Sequence, residues 1–522
     1  MSHFFDGRLV EVHIMSDSDD EGNDNIIPIT EWPINPSPPS ASKKDEDVAE
    51  KCATRKIHHS QEYEHCSKVK KVRLESGELP YGNLAGHYDE MQEQEAMVQT
   101  RIARWWRKYK QGVETKSMPV TTNPNTTLLW ISRTPECQVF LLEEEKSLKF
   151  RLQAQHGVTA NLYAALASVE DYLGQMDSAL TNINKAVALD PNNSEYQWLR
   201  EKLSRQSRVI EIQSDKQNAL ETMDLKFPPV SKVDRVSIKD LSEKDFHERY
   251  VKTHRPVILL DLVQTITSTP WNLDFVKKIA GSKRVMLKKQ VPLSAEWACL
   301  EDSRTSTVEE FIDSVTEGET DDYLFDWSLP LHCPELSSTL TVPSYFADNY
   351  LCQTSQGSLY RDSWPSLFVA PAGAVSQLHI DAFASSFWMA LMEGEKRWTF
   401  FPPSDTALLY PRYIHSMDPV FSVNLQEPDL QSHPLLALTH PSQCVLKPGE
   451  LLYVPNGSAH FVENLTTSLA ISSNHVDEAN YTQVCEELHI NGLVDPRAAE
   501  LLQQLHSPKF RRRKTDSESL KS

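Results

Sequence analysis

The stretch His379-Ile-Asp-Ala-Phe-Ala-Ser-Ser-Phe-Trp-Met-Ala-Leu-Met-Glu-Gly-Glu-Lys-Arg-Trp-Thr-Phe-Phe-Pro-Pro403 decides how the C-terminal half of this chain folds. It opens with an imidazole and a carboxylate two positions apart, which project from the same face when the backbone is extended. Two strand-like runs follow, Phe387–Met392 and Arg397–Phe401, separated by a turn at Gly394. Working outward, Leu367–Ala370 and Ser376–Ile380 precede them, and Gln443–Leu446, Leu451–Val454, His460–Glu463 and Leu469–Asn474 come after, with Pro, Gly and Ser between. Eight short strands at this spacing suit a jelly-roll barrel, two sheets packed around a pocket. The fold class expected is α+β, a double-stranded β-helix with flanking helices.

His460, at the start of a later strand, offers a second imidazole. Two histidines and one carboxylate on one face make the facial triad of non-haem iron(II) oxygenases, which leaves half of the coordination sphere for small reactants. Alone, H-x-D arises often by chance. Its surroundings, from His379 to Pro403 and then Lys447-Pro-Gly-Glu-Leu-Leu-Tyr-Val-Pro-Asn-Gly-Ser-Ala-His460, resemble the core of a jumonji-C domain, the cupin-like oxygenase family that uses iron(II), 2-oxoglutarate and O2. Tyr323-Leu-Phe-Asp-Trp327 and Val342-Pro-Ser-Tyr-Phe346 resemble the approach to its barrel. The branch most similar is that of the lysyl hydroxylase and arginine demethylase.

The resemblance implies that His379, Asp381 and His460 are both the catalytic centre and the metal ligands. Lys396 is then the cation that pairs with the distal carboxylate of 2-oxoglutarate, Ser376 and Ser472 are hydroxyls facing it, and Asn474 lies near the metal-bound end. Met389 stands where relatives often carry an Asn, and a thioether cannot donate an amide hydrogen bond. Small residues at Gly457-Ser-Ala459 imply a roomier wall before the distal histidine than relatives have. The expected reaction is hydroxylation of a side chain in a partner protein or peptide. Two alternatives stay open: N-methyl-lysine or N-methyl-arginine demethylation of histones or other basic proteins, and a non-catalytic adaptor built on a degenerate barrel.

The rest of the chain is less explicit. With 522 residues, 31 prolines, 39% hydrophobic content and a net charge of -20, part of it is expected to be disordered, and a polyanion such as nucleic acid is disfavoured as partner. Residues 1–88 read as a largely disordered acidic and polar region; within it Lys68-Val-Lys-Lys-Val-Arg73 is either an import signal or a solvated run. Residues 89–115 read as an amphipathic helix whose Thr100–Lys110 core resembles an IQ motif, with Ala103 where Gln is usual, so its partner is either a calmodulin-like protein at residues 100–110 or a neighbouring domain. Residues 125–210 read as a tetratricopeptide-like segment, one repeat being legible from Ala160 to Pro191. Since a lone repeat cannot cover both its faces, either Asn192–Gln206 caps it and the stack docks on the oxygenase, or a divergent repeat occupies Trp130–Gln155. The jumonji-C domain is assigned to 233–478, helices of the kind that relatives often use to dimerise or to shield the barrel to 479–507, and a basic tail to 508–522. Neither a secretory signal nor an apolar span of membrane length is visible, and eight cysteines without a C-x-x-C pair fit a reducing compartment, so nucleus or cytoplasm is expected.

Overall fold

The computed structural model describes residues 98–109, 118–154, 159–220 and 225–507. The assignments made for residues 1–88, for Lys68–Arg73 and for the tail 508–522 lie outside the described residues.

Each of the eight strands read from sequence is present: six are longer by a residue or two, Leu451–Val454 is unchanged, and Ser376–Ile380 is shifted to Val375–His379. One sheet has five strands in the order β1 (Ser231–Lys232), β13 (Ser442–Leu446), β10 (Lys396–Phe401), β15 (Ala459–Asn464) and β8 (Val375–His379). The other has seven: β2 (Asp234–Ser237), β3 (Val257–Leu260), β14 (Leu451–Val454), β9 (Ser386–Glu393), β16 (Ser468–His475), β7 (Ser366–Ala370) and β6 (Leu324–Ser328). A hairpin of β4 (Arg284–Gln290) and β5 (Leu300–Thr307) and a short ladder of β11 (Pro411–Arg412) with β12 (Val420–Phe421) flank them.

Period-two alternation sorts the side chains into layers. Along β9, Phe387, Met389 and Leu391 face the interior shared with Trp398 and Phe400 of β10. Trp388 and Ala390 face outward, where α7 (Leu273–Ala280) and α8 (Val308–Glu317) cover the seven-stranded sheet with Val276, Phe311 and Ile312. Gly394 makes the β9–β10 turn at φ +82°, where a Cβ would meet the Thr467 carbonyl at 2.2 Å. Glycine is the residue that this turn admits.

Among the described residues before the barrel, six helices form a stack: α1 (Val98–Tyr109), α2 (Pro124–Ser132), α3 (Pro135–Gln153), α4 (Ala160–Tyr172), α5 (Met176–Leu189) and α6 (Ser194–Leu220). Ala164, Ala167, Ala179 and Ala186 let α4 and α5 approach closely, and Tyr196 and Leu203 of α6 close that layer. Helices occupy Pro124–Ser132 and Pro135–Gln153, and α6 packs on the α4–α5 pair where the capping helix was expected. α6 also lies on the barrel, where Gln206 Nε2 donates to the Pro411 carbonyl at 3.3 Å and Gln213 Nε2 to that of Ala407 at 2.8 Å. The IQ-like helix α1 spends its apolar face inside the stack, where Val98, Ile102, Ala103 and Trp106 are buried. Packing, rather than an offered surface, accounts for that stripe. Beyond the barrel, α9 (Tyr481–Asn491) and α10 (Pro496–Leu505) bury Val484, Leu488, Leu501 and Leu505 against Tyr360, Trp364 and Phe383 of the same chain.

Candidate metal centre

Strand pairing explains how residues so distant in sequence meet. β8 and β15 are antiparallel neighbours with His379 directly opposite His460, and the two rings lie 4.1 Å apart between centroids. Asp381 follows just past the end of β8, still on the face of His379. One donor atom from each of the three residues falls within 4.8 Å of the others, and all three residues are buried. This is the group among the described residues that meets the geometry of a metal site.

The hydrogen-bond partners fix which ring nitrogens are free. His460 Nδ1 donates to the Ser458 carbonyl at 3.0 Å, and His379 Nδ1 to that of Gln377. A carbonyl only accepts, so both Nδ1 atoms carry the proton and both Nε2 lone pairs remain for a metal. Burial keeps the rings in this neutral form: it lowers His460 to about 4, and burial followed by the neighbouring His460 holds His379 well below its ordinary range. Asp381 is pushed up to about 7, first by burial and then by the carboxylates of Asp326 and Asp418. A divalent cation between these groups offsets the cost of ionising that carboxylate. The donor chemistry, two neutral imidazoles and a carboxylate on one side, fits a facial octahedral ion of the non-haem iron kind.

The same cavity holds a buried cation. Lys396 is fully buried at the start of β10, and its Nζ donates to Tyr323 Oη at 3.1 Å. Ser376 lines the cavity beside them. Asn474 also lines it; its Nδ2 donates to Ser385 Oγ at 2.8 Å, and a side-chain hydrogen bond links it to Asp381. Ser472 sits two positions before Asn474, opposite Met389, and is buried with an Oγ that has no partner among the described residues, but it is not part of the cavity lining. Six of the seven residues singled out from sequence thus meet around one hollow.

Residues 243–481 match the family model described as a cupin-like domain. Similar proteins include "Arginine-specific demethylase JMJ20" of Arabidopsis thaliana, 27% identical over 281 residues covering 50% of this chain and 60% of that protein. "Lysine-specific demethylase 8" of Danio rerio is 27% identical over 251 residues, 47% of this chain and 58% of that one. "2-oxoglutarate and iron-dependent oxygenase JMJD4" of Mus musculus is 31% identical over 164 residues, 30% of this chain and 37% of its own length. Residues 243–481 form a cupin-like domain of the jumonji-C type. The chain spans between about a third and three-fifths of the length of these curated relatives.

Within this jumonji-C cavity stand four residues that sequence reasoning left without a role. Tyr323 is the hydrogen-bond partner of Lys396; Trp297 packs its ring on His379 with centroids 4.2 Å apart. Asp326, at φ +51° on the bulge of β6, presents a carboxylate to the cavity. Trp398, two positions after Lys396 on β10, lines the cavity with a buried Nε1 that has no partner among the described residues. Only Trp398 carried a signal, since period two places it on the face of Lys396.

Proposed function

We propose that this chain is an iron(II)- and 2-oxoglutarate-dependent dioxygenase that hydroxylates a side chain of a partner protein. The observation that carries this is the pairing, in one cavity, of a two-imidazole, one-carboxylate donor set with a buried ammonium at Lys396. Bound ferrous iron with 2-oxoglutarate supplies the chemistry by which O2 yields succinate, CO2 and one oxygen atom inserted into a substrate C–H bond.

The chain's own residues do the rest. His379, Asp381 and His460 would hold the ion from one side, the side facing the cavity being left to small reactants. Lys396, with Tyr323 and Ser376 beside it, receives the distal carboxylate of the co-substrate, a charge-assisted contact made strong by the absence of water. Asn474 orients Asp381. Phe368, Phe387 and Met389 form the apolar wall that keeps water from the reacting atoms.

The test is anaerobic reconstitution of the full chain with iron(II), followed by measurement of 2-oxoglutarate-dependent succinate formation on admission of O2, with His379→Ala as control. Proteomic comparison of cells carrying wild type and His379→Ala then finds the substrate as a protein that loses a +16 Da mark, one oxygen atom of about 16 Da. Wild-type turnover no greater than that of the control, in protein loaded with iron, sinks the proposal. Relatives named as arginine- and lysine-specific demethylases favour a second reading, oxidation of an N-methyl group of a basic protein, for which the net charge of -20 is complementary. Formaldehyde release in step with succinate selects that reading over hydroxylation.

For the remaining parts, the helical stack is assigned as a docked unit of the oxygenase. A calmodulin-like partner would have to displace the buried face of α1, and a dimer would have to form on surfaces other than the apolar faces of α9 and α10 already used within the chain. No described helix is long and apolar enough to cross a membrane. Nucleus or cytoplasm is the compartment proposed.

A further inference from the structure

Between β4 and β5 the chain makes a closed loop, residues 291–299, tied across its neck by Val291 N donating to the Cys299 carbonyl at 2.9 Å. Three non-glycine residues in it, Leu293, Ala298 and Cys299, have φ between +53° and +56°. Such a conformation costs of order 1 kcal/mol or more per residue and persists where surroundings impose it. What the loop presents is Trp297. Its Nε1 donates at 2.9 Å to the carbonyl of Ile380, the residue between the two ligands of the H-x-D tripeptide, and its ring packs on His379.

What imposes the loop is the helical stack. Glu301, 3% exposed at the start of β5, receives Thr126 Oγ1 at 2.6 Å and Ser294 Oγ at 2.7 Å on one oxygen, and Thr121 Oγ1 on the other. Two of those three donors come from the chain leading into and forming α2. The backbone N–H of Ala295 donates to Thr126 Oγ1 at 3.1 Å, and Asn123, whose Oδ1 caps α2, gives its Nδ2 to Glu296 at 3.0 Å. A buried carboxylate holds its place only while its donors do. The chain on either side of Trp297 is therefore fixed by residues of the other structural unit.

We infer that Trp297 is a positioning residue for the metal-binding tripeptide, and that the N-terminal helical unit sets its position through Thr126 and Glu301. This rests on His379, Asp381 and His460 being the metal ligands. The indole N–H holds the carbonyl between two of them, and the ring edge fixes the plane of the His379 imidazole; the α2 contacts keep the loop from withdrawing. The stack is by this account one wall of the active site, and anything that shifts α2 alters the metal geometry.

The experiment uses the full chain with Co(II) alone as probe, its visible absorption reporting coordination geometry and its titration reporting affinity. Trp297→Phe keeps a ring and loses the N–H. It is expected to weaken Co(II) binding about tenfold, as loss of a partner holding a ligand does, and to change the spectrum. Thr126→Val, in the other unit, is expected to change the spectrum in the same direction, Thr126→Ser to restore it, and the double variant to be no worse than Trp297→Phe. Arg205→Ala, which cuts an ion pair between the two units away from this loop, should leave the spectrum as in wild type. The inference is overturned if Thr126→Val lowers the melting temperature with an unchanged spectrum, if the two substitutions add independently, or if Arg205→Ala acts as Thr126→Val does. Wild type that binds no Co(II) would instead overturn the assignment of the ligands.

Discussion

An ammonium with no exposed surface is costly unless something anionic joins it, and Lys396 is in that position. Burial lowers it from the ordinary 10.5 to about 7. Between those two values the unfolded chain binds the additional proton, so the stability of the ligand-free protein rises with pH through that window. Binding a dianion draws the proton back onto the amine. Affinity for 2-oxoglutarate is therefore full below pH 7 and is lost as pH rises, the dissociation constant growing about tenfold per unit above that point. Calorimetric titration of the Mn(II) form between pH 6 and 8.5 checks this, and a flat profile refutes it. Trp398 allows a second prediction. Its orphan Nε1 lies one pleat repeat from Lys396 toward Phe400, which pairs with His460. Trp398→Phe should weaken 2-oxoglutarate binding about three- to tenfold, the worth of one neutral hydrogen bond, with Co(II) affinity unchanged. If that N–H serves nothing, the variant binds as wild type does and is more stable. At this scale, what the sequence could show was what periodicity carries, His379 with Asp381 and Lys396 with Trp398. Tyr323, Trp297 and Asp326 reach the cavity through a bulge, a strained loop and pairings made elsewhere, none of which a local pattern encodes.

Elements were legible where neighbouring residues alone specify them. The alternation of β9 and β10 and the Gly394 turn follow from period two and a positive φ, and all eight strands of the barrel could be read in this way. The β4–β5 hairpin was missed because Arg284–Gln290 and Leu300–Thr307 are rich in charged and hydroxyl residues, and Asp302–Thr305 are exposed in succession, so no apolar alternation marks the second strand. The turn itself is open to test. Gly394→Ala places a methyl group against the Thr467 carbonyl and Ser468 and forces an L side chain into left-handed space, so unfolding free energy should fall by more than about 1 kcal/mol. Because the turn leads directly into Lys396, 2-oxoglutarate affinity should fall with it, in parallel denaturant and binding measurements. Lost stability with intact binding would show that the turn and the anion site are independent.

For the molecule as a whole, the decisive feature is how the helical stack and the barrel are joined, and neither pattern nor propensity in either unit states it. Lys202 on α6 is 6% exposed; its Nζ bonds Asp171 of the stack at 2.9 Å and the Ile414 carbonyl of the barrel at 3.2 Å. It links the units from inside their interface. Arg205 and Glu487 link them nearer its rim, at 2.8 Å. Removing one member of a buried pair strands the other in a medium that cannot solvate it, a loss of about 3–5 kcal/mol, whereas a pair reached by water contributes about 1 kcal/mol or less. Lys202→Met should therefore lower unfolding free energy by several times the effect of Arg205→Ala. It should also split a single cooperative melt into two steps, because the stack then loses its hold before the barrel unfolds. Calorimetry with far-ultraviolet dichroism at both helix and sheet wavelengths separates the steps. Equal effects of the two substitutions, or one undivided transition in Lys202→Met, would mean that apolar packing of α6 joins the units and that the Lys202 bond to the Ile414 carbonyl is incidental.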